Sequence, residues 1–351
     1  MIIIKLADTM AGKLRQIQIT FTRTVILSLV VLLILGLLST HKKHLSNHLV
    51  NFTVEWNSVF YTARSPCFTV GFANQKRNGL GNHLFYYAVV MYAAWLTGRK
   101  PIMMTSSKKV TELDKAFDLD IDRLHDNVQC PVKEFTHKVV YAFNVDINFL
   151  NDVDESVSVL FRGHSCSWKY TQPIEDQLRR KLRFRRHLTV FANKFLSANV
   201  PTGWNMSTFV HVGIHVRRGD FLSNWAVRRG FTVANKQYLK RAMTYFVKRF
   251  TQVQFIVASN DIAWSRNNIN SSSFDQTRVN ITFSVGHSTQ QDLALLASCN
   301  HMIMTTGTFG WWAAWLANGT TIYYKNFPRR GTRLWLRSRL SDYFPPKWIG
   351  M

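Results

Sequence analysis

Acidic residues are scarce in this chain of 351 residues. Only 20 Asp and Glu stand against 44 Lys and Arg, a formal net charge of +24. Such a field favours anionic partners: nucleic acid, anionic lipid or phosphorylated substrates. Zinc-finger and RNP motifs are absent and the basic residues are spread along the chain, which excludes the nucleic-acid reading. Cysteine is also sparse. Cys67, Cys130, Cys166 and Cys299 show no close C-x-x-C spacing, so a structural zinc site is excluded as well. A charge-free, mostly apolar run extends from Thr24 to Thr40. That run has no small-x-small cleavage site before His41, which argues against a removed signal peptide.

The run is at the short end of the ~17–25 residues that cross a bilayer. Lys5, Lys13, Arg15 and Arg23 precede it, while Lys42 and Lys43 follow. The positive-inside rule then leaves residues 1–23 as a cytosolic tail and 24–40 as a signal anchor in the lipid bilayer. Residues 41–66 become a stem, and the body lies in the lumen. A short span suits the thinner membranes of the early secretory pathway, so the sequence predicts a single-pass type II Golgi membrane protein. Sequons at Asn51, Asn205, Asn270, Asn280 and Asn318 all follow the run, as do all four cysteines. An oxidising lumen predicts one or two disulfides, and four cysteines allow three pairings.

Hydrophobic residues make up 46% of the chain and aromatics 13%, enough for a substantial packed core. The body begins with a predicted strand from Cys67 to Ala73. Asn78-Gly79-Leu80-Gly81-Asn82-His83 and a helix follow, the helix with Leu84, Ala88, Met91, Tyr92 and Trp95 at helical spacing. A dinucleotide fingerprint needs a third glycine where this chain has Leu84, which excludes NAD and FAD. Asp114, Asp118, Asp120 and Asp122 alternate with apolar residues and read as a solvated face. Asp152-Val153-Asp154 has the form of a metal-binding D-x-D but lacks an apolar strand before it. Residues 175–194 read as one basic amphipathic helix, and 200–204 as a linker between lobes 67–200 and 201–351.

Beyond the linker, strands and helices alternate as in βαβ units. Predicted strands are 208–216, 253–258, 281–285, 301–306 and, as the last, 321–324. The first of them runs directly into Arg217-Arg218-Gly219-Asp220. In open α/β sheets ligands bind beyond the carboxyl ends of strands, and guanidinium forks match phosphate oxygens bidentately. Arg217 and Arg218 are therefore candidate diphosphate ligands, one facing the cleft and the other bracing Asp220. His215 faces the cleft or packs under it. Thr308 and Phe309 open a helix whose N-terminus can hold phosphate, and Thr308 can also cap it. Asp292 sits three residues after Thr289, where it completes a capping box or accepts from a nucleoside. Trp311, Trp312 and Trp315 read as core. Asp220 is the candidate catalytic base or orienter.

HVRRGD at 215–220, NGLGNHLFYYA at 78–88 and TTGTFGWWAAWLANG at 305–319 together resemble the galactoside α-1,2-fucosyltransferase family. VASND at 257–261 and TQQDLALLASCNHMI at 289–303 fit the same pattern. The resemblance covers about residues 67–330. It implies an α/β fold of two Rossmann-like lobes, GT-B in type, with the C-terminal lobe holding GDP-fucose and the N-terminal lobe facing the acceptor. Fucose would move with inversion to the 2-hydroxyl of a terminal β-galactose, without a metal. Arg217 and Arg218 would contact the diphosphate, and Asp292 the guanine or ribose. Thr308, Phe309, His215 and Asp261 would belong to the donor pocket, with Gly79, Gly81, Asn82 and His83 facing it. Asn260 and Gly310 depart from the related α-1,6 enzymes, which carry an acid and a serine there. Two other readings remain: a fucosyltransferase with another acceptor, and a non-catalytic carbohydrate-binding protein on the membrane.

Overall fold

The computed structural model describes residues 67, 69–72, 79–103, 111–119, 121–123, 130–137, 141, 150, 152–204 and 209–351. The expected tail, anchor and stem lie outside these residues, as do Asn51, Asn205 and Asp120. Among the described residues, no helix is long and apolar enough to cross a membrane.

Two parallel sheets organise the body. The first contains β1 (Thr69–Phe72), β2 (Lys100–Met103), β3 (Asp122–Arg123), β4 (Val132–His137) and β5 (Ser158–Gly163), in the order β3-β2-β1-β5-β4. The second contains β6 (Phe209–Val216), β7 (Gln252–Ser259), β8 (Val279–Phe283), β9 (His301–Met304), β10 (Thr321–Tyr323) and β11 (Ile349–Gly350). Its order is β11-β10-β9-β6-β7-β8. From β6 the chain winds outward through β7 and β8, then returns to β9 on the other side of β6. The boundary between β6 and β9 is therefore a topological switch point, where open α/β sheets place their ligands. The strand predicted as last is followed by another, because Ile349 pairs in parallel with Ile322.

Helix α1 (Leu80–Thr97) connects the two halves. It is apolar on most sides because it serves two cores. Tyr86, Val89, Val90, Ala93 and Ala94 pack with β1 and β5 residues. Leu84, Phe85, Ala88 and Met91 join the core of the second sheet. Phe85 lies 4.6 Å from the Trp311 ring and 5.2 Å from Trp312. Such aromatic pairs contribute about 0.5–1.5 kcal/mol beyond burial. Gly98 ends the helix at φ 71, the left-handed conformation that glycine adopts without strain. Trp95 departs from the expected apolar face: it is 54% exposed. Trp311, Trp312 and Trp315 are all buried, as the core reading expects.

The basic segment is two helices rather than one. Between α2 (Glu112–Ala116) and β3 the chain passes Phe117, whose ring packs tilted against Phe184 with centroids 4.7 Å apart. Asp118 N donates to the Arg183 carbonyl and Arg185 N to the Ala116 carbonyl. Those bonds draw residues 182–185 out of helical geometry, leaving α3 (Glu175–Lys181) and α4 (Arg186–Ala198). Helical periodicity alone carried no trace of this tertiary pairing. α4 buries Leu188, Ala192 and Leu196 in the core of the second sheet. The four-aspartate face also fails as a uniform reading. Asp114 is buried, and its Oδ2 accepts from Thr111 N at 2.7 Å in a capping box that starts α2.

Cys67 and Cys130 form a disulfide across 63 residues, while Cys166 and Cys299 are buried thiols. A loop of that size restrains the unfolded chain by about 4 kcal/mol at most in the chain-entropy account. The double variant Cys67→Ser/Cys130→Ser is expected to lose about 2–4 kcal/mol, read as a lower urea midpoint with a steeper slope as the unfolded chain expands.

Candidate active site

Strand β6 is buried on both faces, as expected of a central parallel strand. Its exit is fixed from both neighbours. Arg217 N donates to Thr305 Oγ1 beyond β9, and Arg218 N to Asn260 Oδ1 beyond β7, each at 2.9 Å. Gly219 follows at φ 24, and a Cβ there would collide with the Asn260 side chain. Thr305 and Asn260 were not among the expected site residues. The available signal was their position: each ends a strand flanking β6.

The two arginines have different environments. Arg218 is pinned: its Nε lies 3.2 Å from Asp261 Oδ2, its guanidinium sits 3.8 Å over Trp264, and its side chain is 13% exposed. Asp261 also accepts from Trp264 N, capping α7 (Ile262–Asn268). Arg217 is 35% exposed, with Nη2 2.7 Å from Asp220 Oδ1 and its guanidinium 5.3 Å over Phe221. The reading of one arginine toward the cleft and the other on Asp220 is thus revised. Arg217, the more open one, itself holds Asp220.

Across the switch point, Gly307 begins α9 (Thr308–Ala317) at φ 90 without a side-chain cap. Thr308 does not cap the helix. Its hydroxyl donates instead to Asn82 Oδ1 at 3.1 Å, in the first turn of α1. A Cβ on Gly81 would stand 2.5 Å from Phe309 N and Thr308 C, so only glycine permits this approach. The N-termini of α1 and α9 therefore meet, and neither has an acidic residue in its first turn. Each carries a partial positive charge and unpaired N–H groups. With Arg217 beside Gly307, the arrangement is suited to an anion. Gly79, the N-cap of α1, has open space around it.

His215 packs underneath. It is 6% exposed, lies 5.1 Å from the Phe309 ring and fills the space where a Cβ on Gly310 would fall. Burial, with the nearby charge of Arg217, lowers its pKa to about 3, so it stays neutral. His83 borders Glu112, whose pKa is lowered mainly by its hydrogen bond from Lys115. Glu112 Oε2 also accepts from Gln290 Nε2 at 2.6 Å, a tie between α2 and α8 (Thr289–Ala297) that the sequence did not signal.

Asp292 is not part of a capping box. Ser288 and Gln291 form that box, one residue earlier than the spacing from Thr289 predicts. Asp292 Oδ1 instead accepts from Ser284 Oγ at 2.6 Å, and Ser284 also meets His287 Nδ1 at 2.8 Å. Burial raises the Asp292 pKa above its ordinary 3.8. A raised folded-state pKa gives stability that is present below the ordinary value and lost as pH rises through the raised one. Asp292→Asn should remove that loss, so its Tm advantage over wild type should grow with pH from about 4 upward. Ser284 follows β8, two strands from β6, or about 10 Å at ordinary strand spacing.

The described structure thus brings Arg217, Arg218, Asp220, Asp261, Gly81, Asn82, Thr308 and Phe309 into one connected set. Asp292 stands to one side of it. Among the described residues there is no group of three His, Cys, Asp or Glu side chains able to hold a metal. Asp154 of the D-x-D is occupied locally, accepting from Ser156 N and Oγ. Of the sequons, Asn270 and Asn318 are exposed. The side-chain nitrogen of Asn280, the atom a glycan would be joined to, donates to the Asn199 carbonyl at 3.3 Å.

This architecture is an α/β fold of two parallel sheets with an anion-suited switch point, the arrangement of nucleotide-binding proteins. Glycosyl transferase family 11 matches residues 37–351. Galactoside alpha-(1,2)-fucosyltransferase 1 of Rattus norvegicus is 32% identical over 278 residues, covering 77% of this chain and 70% of the relative. Galactoside 2-alpha-L-fucosyltransferase SEC1 of Bos taurus is 30% identical over 287 residues, covering 80% and 73%. The chain belongs to glycosyl transferase family 11, among the galactoside alpha-(1,2)-fucosyltransferases. Two solved structures share the fold at low identity. A mutant of Arabidopsis thaliana FUT1 in complex with GDP matches at TM-score 0.50 and 12% identity, covering 78% of this chain and 74% of that one. POFUT1 in its apo form matches at TM-score 0.50 and 13%, covering 75% and 99%.

Proposed function

We propose that the protein transfers L-fucose from GDP-fucose to the 2-hydroxyl of a terminal β-galactose on glycoprotein or glycolipid glycans. The observation that carries this reading is the convergence at the β6/β9 switch point of Arg217 with two helix N-termini free of acidic residues. The acceptor oxygen bonds to C1 of fucose as the bond from C1 to the β-phosphate oxygen breaks. GDP leaves with the bonding electron pair, and the acceptor proton passes to solvent or a base. Charge growing on the diphosphate is met by Arg217 and the N–H groups of α9, already oriented before the reaction. Arg218 positions the loop through Asp261 and Trp264. Asp292, about 10 Å away by strand spacing, reaches the nucleoside. The same reading has residues 24–40 anchoring the chain in a Golgi membrane with the body in the lumen.

Asp220 acts as an orienter, because its Oδ1 is engaged by Arg217. Asp220→Asn is then expected to lower kcat by about 10-fold, well short of the 10²–10⁴-fold typical when a general base is removed. The pH profile of kcat in that variant should keep its wild-type shape. The reading as a whole is tested by incubating the full-length chain with GDP-fucose and a panel of β-galactosides, with and without EDTA. Fucose on galactose O2 is the expected product, and failure to modify any β-galactoside refutes it. Activity lost with EDTA would return a metal to the mechanism.

A further inference from the structure

The segment joining α3 and α4 borders a groove of about 890 Å³ that the proposed reaction does not use. Arg180, Lys181, Arg183, Arg185, Arg186 and His187 line it, against a single carboxylate, Asp118. Some nearby cations serve the fold. Arg179 turns away to pair with Glu175 at 2.7 Å and to cover Trp315. Arg185 donates to the Asp114 carbonyl and lies 4.0 Å from Asp118. The side chains of Arg180, Lys181, Arg183 and Arg186 make no ion pair or hydrogen bond among the described residues. Like charges gathered in one concavity raise its potential and concentrate anions there.

We infer that this groove binds an acidic saccharide, one carrying sulfate or carboxylate groups, as a second glycan site of the enzyme. Guanidinium forks match both groups bidentately, and a volume of this size is that of a small-ligand cleft. The occupant is a glycan rather than a bilayer because the lining offers one exposed aliphatic residue, Val190. Interfacial membrane binding needs an apolar face to insert. Single-stranded nucleic acid needs open aromatic platforms, and Phe184, the groove's aromatic, is packed against Phe117 with the rings tilted. Location supports the same occupant. At one end of α2, Glu112 meets Gln290 of α8 and neighbours His83; six residues on, Asp118 lines the groove. Four helical steps to Ala116 and two more extended ones span about 13 Å at most. An acidic branch of a glycan engaged at the candidate active site lies within reach. The inference depends on the proposed function only in taking the occupant to be a glycan.

The test measures binding of a heparin-derived hexasaccharide to the full-length chain in detergent, by titration at two salt concentrations. Wild type is expected to bind, more weakly at the higher salt. The triple variant Arg180→Ala/Arg183→Ala/Arg186→Ala should bind at least about 10-fold more weakly, and the single charge reversal Arg183→Glu should move the same way. Lys236→Ala/Lys240→Ala/Lys248→Ala, which removes as many exposed charges from α6 (Lys236–Val247) and its C-cap, should stay within about 2-fold. Fucose transfer to an uncharged galactoside should be unchanged in the groove variants. Absence of binding, or equal losses in both triples, overturns the inference. So does a groove variant that loses binding to phosphatidylserine vesicles while keeping the hexasaccharide. A chain that binds the saccharide but transfers no fucose keeps this inference and loses the proposed function. A chain that transfers fucose but does not bind the saccharide does the reverse.

Discussion

Arg217→Lys is expected to lower kcat/KM for GDP-fucose by about 10²–10³-fold, the range seen when one preorganised donor to a developing negative charge is lost. The guanidinium of Arg217 has two tasks. One nitrogen is committed to Asp220 at 2.7 Å, and its plane lies over Phe221. Its aliphatic stem passes close to Gly307, where α9 begins. Lysine keeps the charge but offers a single compact ammonium, which cannot hold Asp220 and also present a planar fork to a diphosphate. Stability should change little, because the side chain is 35% exposed and surface changes of this kind stay within about 0.5 kcal/mol. Steady-state kinetics and thermal melting on the same sample separate the two effects. A variant with wild-type kcat/KM would remove Arg217 from the site. Arg218→Ala should behave differently, losing stability as well as activity, since it uncovers Trp264 and leaves Asp261 unpaired.

Gly81→Ala is expected to lower both stability and donor affinity. The added Cβ would sit 2.5 Å from backbone atoms of Thr308 and Phe309, which cannot rotate aside as a side chain tip would. Either α1 or α9 must shift. Overpacking of this type costs about 1–3 kcal/mol. The shift also breaks the Thr308–Asn82 hydrogen bond and turns the N–H groups of α9 away from the anion they face. A donor-affinity loss of about 10-fold or more is expected, since such groups act only at correct distance and angle. Gly79→Ala is the control two residues earlier. Among the described residues nothing lies within 4 Å of the Cβ it would add and the φ at this position is −73, so it should cost under about 1 kcal/mol and leave affinity unchanged. Denaturant unfolding together with GDP titration of both variants reads the comparison.

The parts legible in the sequence were those written in local pattern. A run of alternating Val and Ile leading into Arg217 and Arg218 marked β6, and glycines at 79 and 81 marked the start of α1. Strand–helix alternation after residue 208 marked a parallel sheet. Less legible were features set by residues distant in sequence. The strand pairing that puts β9 beside β6 makes a switch point of two loops 88 residues apart. The contact between Phe117 and Phe184 splits a helix that periodicity presents as continuous. The capping-box alternative for Asp292 failed because such a box shifts by one residue without changing composition: Ser288 and Thr289 are both good caps, and tertiary contacts of Ser284 and His287 decide between them. Buried cations at Arg99 make the same point. Arg99 is fully buried and donates to the Val153 and Val157 carbonyls, bonds that no local pattern announces.

The central claim is that Arg217 and the α9 N-terminus hold the diphosphate. The most direct measurement compares the affinities of GDP and guanosine for the wild-type chain and for Arg217→Lys. The account predicts that wild type binds GDP at least about 100-fold more tightly than guanosine, a difference of about 2.7 kcal/mol carried by the two phosphates. In Arg217→Lys that preference should shrink by about 10-fold or more while guanosine affinity holds. Equal affinities for GDP and guanosine in wild type, or an undiminished preference in the variant, would contradict it.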